Sequence, residues 1–405
     1  MASAADTALS RRADVDATEE IMELQMGPSH PATHGTIKFN LKLDGEVVVA
    51  CDVEVGYLHR GFEKMIEQGT WTQAIPYTDR LNYVSPLINN VGFILAVERL
   101  CGIEVPPRCQ AIRVIMSEVS RICDHLTCLG MAAQEIGAAT AAFFMIEGRE
   151  MLWDIIEAVT GARVTISYTR IGGVTHDLTP DTPDRIRASF KHVRALLADC
   201  DALLTRNRIF FDRMVNVGVL SQADAISYGL TGPLLRATGV SYDVRKAQPY
   251  SGYERYEFEV PTGTNGDNYD RFLVRFAEME QSIRIVEQAL RDLPDGPVRI
   301  DDPRYVLPEK HEVYNSIEGL MHHFKLIMEG AKVPRGEVYQ AVEGGNGELG
   351  FYVVSDGSGR PYRCRVRPPC FFGMAALSDM MRGHMVADII PIFGMINMIG
   401  GECDR

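Results

Sequence analysis

Apolar residues recur every three or four positions through most of the middle of the chain. After Pro106-Pro107 they fall at Ile112, Ile115, Met116, Val119, Ile122, Cys123, Leu126 and Leu129, the spacing of one helix face. Upstream, Ser85-Pro86 reads as an N-cap with proline at the first helical position. That helix runs through Val91, Leu95 and Val97 to Gly102, a C-cap. Further helices are predicted over 137–159, 184–204 and 267–293. The first of these starts with small residues (Ala138, Ala139, Ala141, Ala142), which permit close packing. The last carries Phe272, Phe276, Met279, Ile283, Val286 and Leu290 on one face and stops at Pro294. Long amphipathic helices of this kind make a bundle.

The period shortens at both ends. Stretches 36–43 and 47–55 are rich in β-branched residues, and Asp44-Gly45 between them is a hairpin signal. Stretch 61–83 turns helical, with a break expected near Pro76. Beyond residue 297 one helix is predicted over 313–328, then strands over 336–343, 348–355 and 361–367 with glycine-rich turns between them. The reading is an α+β chain in four parts: a flexible polar arm over 1–20, a β-rich part over 21–84, a helical bundle over 85–296 and a small C-terminal α/β part over 297–405.

Composition narrows the function. The 41 basic residues face 54 acidic ones, a net charge of −13. This argues against nucleic acid and against unaided binding to an anionic membrane. No run approaches the ~18 apolar residues of a membrane span. Residues 1–20 lack an apolar signal core, and Asp6, Asp14 and Asp16 offset Arg11 and Arg12. The nine cysteines are scattered with no Cys-x-x-Cys pair. They read as buried small hydrophobes, and neither a disulfide framework nor a metal site of the chain's own is expected. Gly345-x-Gly347-x-x-Gly350 has dinucleotide-loop spacing, but Phe351-Tyr352-Val353-Val354 after it alternates like a strand where that motif needs a helix.

Candidate chemistry gathers in Gly27-Pro28-Ser29-His30-Pro31-Ala32-Thr33-His34-Gly35. The prolines stiffen the loop and the glycines allow it to turn. It presents His30 and His34 either as site groups or as caps of the backbone. His125 sits beside Asp124 in a helix and reads as a packed or surface histidine. Arg363, Arg365 and Arg367 share one strand face, either as a partner surface or as a solvated edge.

Longer motifs follow in order: Gly56-Tyr57-Leu58-His59-Arg60-Gly61-Phe62-Glu63-Lys64, Ile75-Pro76-Tyr77-Thr78-Asp79-Arg80-Leu81-Asn82-Tyr83, Val105-Pro106-Pro107-Arg108, Arg170-Ile171-Gly172-Gly173-Val174, Tyr242-Asp243-Val244-Arg245-Lys246, Pro249-Tyr250-Ser251-Gly252-Tyr253-Glu254 and the terminal Asp404-Arg405. Over nearly all of the chain after residue 20, these resemble the D-type, quinone-site subunit of respiratory complex I, the NADH–quinone oxidoreductase. The resemblance implies a fold shared with the large subunit of nickel–iron hydrogenases. Their paired metal-binding thiolates are gone here: Arg80-Leu81-Asn82-Tyr83 stands at one place and Cys403 alone at the other.

It further implies that Tyr83 and His34 hold a quinone headgroup and act as general acids, with His30 either joining the site or bracing the loop. No redox cofactor belongs to this chain. A neighbouring subunit supplies the terminal iron–sulfur cluster, with Arg80 towards it. Membrane-arm subunits pump protons, and the chain lies peripherally on the cytoplasmic face of a bacterial inner membrane, or on the matrix side in a mitochondrion. The sequence leaves ubiquinone and menaquinone both open. Two positions depart from the family pattern. Glu135 replaces the usual aspartate partner of the loop histidine, and Thr165 stands where many members have a histidine near the cluster. Two other readings are an equivalent subunit of a complex fed by ferredoxin or reduced deazaflavin, and a structural subunit with a decayed site.

Overall fold

The computed structural model describes residues 21–33 and 35–405; the arm expected over 1–20 lies outside them. Strands β1 (Met22–Met26), β2 (Lys38–Asp44) and β3 (Val47–Glu54) form an antiparallel sheet in that order. The hairpin at Asp44-Gly45 is present, with Asp44 opposite Val47. β1 has no β-branched residue and no sequence signal of its own; pairing with β2, from Met22–Leu43 to Met26–Phe39, makes it a strand. Phe39, Leu41 and Leu43 alternate inward along β2.

Helices α1 (Phe62–Gln68) and α2 (Trp71–Thr78) follow. The chain breaks at Gly69-Thr70, not near Pro76. A capping box decides this: Gln73 N–H donates to Thr70 Oγ1 at 3.3 Å, and Gln73 Oε1 accepts from Thr70 N–H at 2.9 Å. Pro76 is carried inside α2.

The bundle contains α3 (Pro86–Cys101), α4 (Pro107–Glu135), α5 (Ala139–Thr160), α6 (Thr182–Leu204) and α7 (Asn268–Arg291). All lie close to their predicted bounds. α4 is the axis, flanked by α3, α5 and α7. At Gly130 a Cβ would stand 3.3 Å from Met145, so α5 approaches α4 closely there.

The helix predicted over 313–328 is two helices, Lys310–Asn315 and α8 (Ile317–Met328). Ser316 splits them, its side chain accepting from Gly319 N–H at 2.9 Å. β4 (Gly336–Gly344), β5 (Gly347–Ser355) and β6 (Arg363–Arg367) form a second antiparallel sheet. The glycine pattern at 345–350 is therefore a hairpin turn. Three helices that the sequence pattern did not announce close the chain: α9 (Pro369–Met381), α10 (Val386–Ile396) and α11 (Gly400–Asp404). α10 buries Ile389, Ile392, Phe393, Met395 and Ile396 and contains Pro391. A helix apolar on nearly every side shows no alternation to read.

The described residues form two cores. One joins the bundle to the second sheet, where Phe93 meets Phe351 edge-on at 5.8 Å. The other lies between the first sheet and α9–α10, where Phe39 meets Phe393 at 5.4 Å. The first strands and the last helices thus share a core. Six arginines (113, 121, 236, 245, 271 and 275) are fully buried, and most of their charge is met by carboxylates. Arg113 grips Glu98 with two bonds of 2.8 and 2.7 Å, and Arg121 and Arg245 share Glu118. No helix among the described residues is long and apolar enough to cross a membrane.

Candidate functional site

Tyr83 lies in the turn between α2 and α3. Its flanking residues are fastened to Asp124, a fully buried carboxylate in α4. Asn82 Nδ2 donates to Asp124 Oδ2 at 2.8 Å and Ser85 Oγ donates to the same oxygen at 2.7 Å. Ser85 holds the N-cap position of α3 but spends its hydroxyl on Asp124, so it makes no side-chain cap. Asn397, just past α10, donates through Nδ2 to Asp124 Oδ1 at 2.9 Å. A Cβ at Gly345 would sit 2.2 Å from Asp124 Oδ2, so only glycine lets the β4–β5 turn close over this carboxylate. Tyr83 itself is 38% exposed. Burial of its inner part, with Cys370 and Asp124 near, raises its pKa above the ordinary value. The hydroxyl therefore stays protonated and able to donate.

Residues 398–401 pack against this turn. A Cβ on Gly401 would be 2.5 Å from Arg80 O, 2.8 Å from Leu81 O and 3.3 Å from the Tyr83 ring. The same segment meets the end of the histidine loop: a Cβ on Gly35 would be 3.4 Å from Met398 Cε and 3.8 Å from Gly400 N. His34 lies outside the described residues. His30 Nδ1 accepts from Ala32 N–H at 3.2 Å and its carbonyl accepts from Thr33, so this histidine braces the loop. The terminal residues are anchored in turn. Asp404 accepts from Gly56 N–H at 2.9 Å and Leu58 N–H at 2.7 Å, and His59 Nδ1 meets the Asp404 carbonyl at 2.7 Å.

Glu135 ends α4, and its carboxylate leaves no space for a side chain at Gly394 of α10, where a Cβ would stand 2.4 Å from Oε2. Arg80 donates to Pro76 O at 2.6 Å, and its own carbonyl accepts from Arg60. The preceding residue, Asp79, accepts from Asn90 at 2.7 Å and from both the amide and the hydroxyl of Ser167. Exposed Thr165 is two residues from Ser167. The Asp79–Ser167 clip thus ties the Thr165 loop to the Arg80 turn.

The family model described as respiratory-chain NADH dehydrogenase, 49 Kd subunit, matches residues 135–405. The chain belongs to this family. It is 56% identical over 394 residues to a D-type NADH-quinone oxidoreductase subunit of Sorangium cellulosum, covering 97% of this chain and 98% of the relative. It is 54% identical over 384 residues to the D-type subunit of Myxococcus xanthus, covering 95% and 92%. A relative from Bdellovibrio bacteriovorus, 51% identical, carries the combined designation C/D; the match covers 96% of this chain and 69% of that one. The chain is accordingly a D-type subunit of a multisubunit NADH–quinone oxidoreductase of the respiratory chain, complex I.

Within this D-type subunit the structure decides readings that the sequence left open. Of the two given for His125, packed or surface, it is the packed one. It is fully buried, with Nε2 2.9 Å from Glu278 Oε2 and Nδ1 facing Arg275 at 3.4 Å. Burial lowers its pKa, with Arg275 adding to the effect and Glu278 opposing it. All three arginines of β6 are spent inside the chain, Arg363 on Glu67 at 3.4 Å and Arg365 on Glu63 at 2.6 Å, both in α1. Arg367 donates to Gly229 O and Glu348 O. Asp124, Asn397, Cys370 and Glu402 carry no motif in isolation.

Proposed function

We propose that this chain forms half of a quinone cavity and passes electrons from an iron–sulfur cluster on a neighbouring subunit to the quinone headgroup, with Tyr83 and His34 holding and protonating that headgroup. The observation that carries the reading is the packing of residues 398–401 against Tyr83 at one end and Gly35 at the other. It supports a site at which the Tyr83 turn and the end of the histidine loop meet one segment. The fold reading goes with it: a hydrogenase-like large subunit without thiolate pairs, in which the room of a metal centre serves a quinone ring.

Reduction of a quinone takes two electrons and two protons. The electrons come from the partner cluster, on the side of Arg80 and Thr165. Each developing oxyanion needs a donor. The Tyr83 hydroxyl, kept protonated by its surroundings, donates to one carbonyl oxygen. The imidazole of His34 serves the other, with Glu135 favouring its cationic form. His30 keeps the loop in shape. The Asp124 network fixes the turn so that the phenol is aimed before substrate arrives, which is where much of the rate gain of a positioned acid lies. The chain sits peripherally, on the cytoplasmic side of the membrane in a bacterium, and the membrane-arm subunits convert the redox energy into proton pumping.

A photoreactive quinone tests this in the intact complex. Labelling of peptides carrying Tyr83 or residues 398–401, suppressed by excess unlabelled quinone, is expected. Labelling confined to other subunits would contradict it.

A further inference from the structure

Glu402 is a buried carboxyl with no part in the quinone chemistry described so far. It lies in α11, next to the Gly401 that packs on Tyr83, and is 1% exposed. Its Oε1 accepts from Cys370 N–H at 3.0 Å. The Cys370 thiol stands between Glu402 and the Tyr83 turn. Sγ accepts from Asn346 Nδ2 at 3.4 Å and Ile399 N–H at 3.5 Å, and lies 3.5 Å from Asn397 O.

Two buried carboxyls thus flank the Tyr83 turn, Asp124 through Asn82 and Ser85, and Glu402 through Cys370 and its neighbour Gly401, and their surroundings differ. Asp124 takes hydrogen bonds from Asn82, Ser85 and Asn397. Glu402 has one backbone amide and a thiol. Among the described residues no ion pair involves it, and the cation acting on it is Arg367, at the end of β6. The other titratable groups around it are Asp124 from α4, Cys370 from α9, Tyr83 through Gly401 and Cys370, and Cys403 and Asp404 on α11 itself. His59, from the loop after β3, reaches only the Asp404 carbonyl. Burial pushes Glu402 up to about 7, and Asp124 adds to this against the Cys370 amide and Arg367. Burial without paired charge favours the neutral form. A negative charge arriving nearby favours it further.

We propose that Glu402 holds the compensating proton of the Tyr83 site, binding it when an electron reaches the acceptor lying against Tyr83 and releasing it when the reduced product leaves. This rests on the quinone reading above. The electron comes from the partner cluster and the proton from solvent. One O–H bond forms at the Glu402 carboxylate, and the two protons that end on the quinol are separate. Glu402 does not touch the acceptor; it acts through charge, as a positioning residue.

The purified complex carrying Glu402→Gln, Glu402→Asp or Tyr83→Phe tests this. NADH-driven reduction of a short-chain quinone is followed across pH 6–8, with reduction of ferricyanide by NADH as the check on assembly. Infrared difference spectra are taken between the NADH-reduced and oxidised states. A group with its midpoint in this range changes its protonated fraction about tenfold from end to end. The parent should show a carboxylic C=O band on reduction, and Glu402→Gln should abolish it and change the ratio of rates at the two pH extremes several-fold. Glu402→Asp should move the band and keep a pH step. An unchanged band and unchanged profile in Glu402→Gln would overturn the proposal. If that variant does not assemble, the same result in Glu402→Asp would overturn it. Normal turnover by Tyr83→Phe would remove the quinone reading instead; lost turnover there, with an unchanged Glu402→Gln spectrum, would remove this proposal alone.

Discussion

Asn82 donates to Asp124 at 2.8 Å, so the residue before Tyr83 is fastened to the middle of the longest helix of the bundle. Asp124→Ala would leave the donors of Asn82, Ser85 and Asn397 buried without their acceptor. An unsatisfied buried group costs about 1–3 kcal/mol. Thermal inactivation of the assembled complex should therefore begin at distinctly lower temperature, with quinone turnover falling further than ferricyanide reduction. Equal losses in both activities would show that Asp124 supports the fold without aiming the Tyr83 turn.

Gly401→Ala adds one methyl group against two backbone carbonyls, those of Arg80 and Leu81. Backbone cannot rotate away as a side chain can, so the turn must shift. Overpacking of this kind costs about 1–3 kcal/mol, and displacing a positioned acid by about 1 Å costs up to a hundredfold in rate. Steady-state kinetics with a short-chain quinone should show a fall of at least tenfold. Parental kinetics would mean that α11 does not hold Tyr83 in place.

Much of this architecture is legible before any coordinates. The long helices show their bounds because each has one polar face and recognisable ends, such as Gly102 at the end of α3 and Asp267 before α7. The last three helices are hidden for the opposite reason: α10 is apolar nearly all round. At the site, Tyr83 and the histidine loop stand out as motif residues. Glu402 does not, because what distinguishes it is deep burial in three dimensions with no ion pair among the described residues. The buried arginines are a similar case. Arg245 and Glu118 are 127 residues apart and meet only in the fold.

Glu402 also makes a prediction for stability. Its pKa rises from 4.5 to about 7 on folding, so the folded chain binds its proton more tightly than the unfolded chain does. The stabilisation is complete below about pH 4.5 and is lost as pH rises through about 7, on the order of 3 kcal/mol. Glu402→Gln should remove this step, raising thermal resistance of the complex at pH 8 relative to the parent more than at pH 5. The same difference at both pH values would contradict it.

Glu118 behaves oppositely. Burial would raise its pKa, but Arg121 and Arg245, with hydrogen bonds from Tyr253 and Ser282, hold it down to about 2. Its contribution is present above about pH 4.5 and is lost as pH falls from there towards 2. Glu118→Gln leaves buried Arg121 without its carboxylate and Arg245 with Asp243 alone, and breaking a buried pair costs about 3–5 kcal/mol. The yield of assembled complex should drop sharply. Undiminished yield and thermal resistance would show that other groups absorb the charge.

Thr165 cannot titrate near neutral pH, whereas a histidine with a pKa of ~6.5 can. If its loop faces the partner's terminal cluster, Thr165→His should make that cluster's potential more pH-dependent, with a limiting slope of roughly 59 mV per pH unit for one electron and one proton. Redox titration followed by electron paramagnetic resonance at several pH values reads this. A slope already full in the parent and unchanged in the variant would place the coupling elsewhere.

The central claim is that Tyr83 donates to a quinone, and removing one oxygen atom tests it most directly. Tyr83→Phe keeps the ring that packs on Gly401 and leaves Asn82 and Ser85 bonded to Asp124. In the purified complex, reduction of short-chain quinone by NADH should fall by a factor of about 10²–10⁴, the usual share of a positioned acid. Reduction of ferricyanide by NADH and the set of polypeptides in the complex should stay unchanged. Quinone turnover equal to that of the parent in an assembled Tyr83→Phe complex would contradict the account.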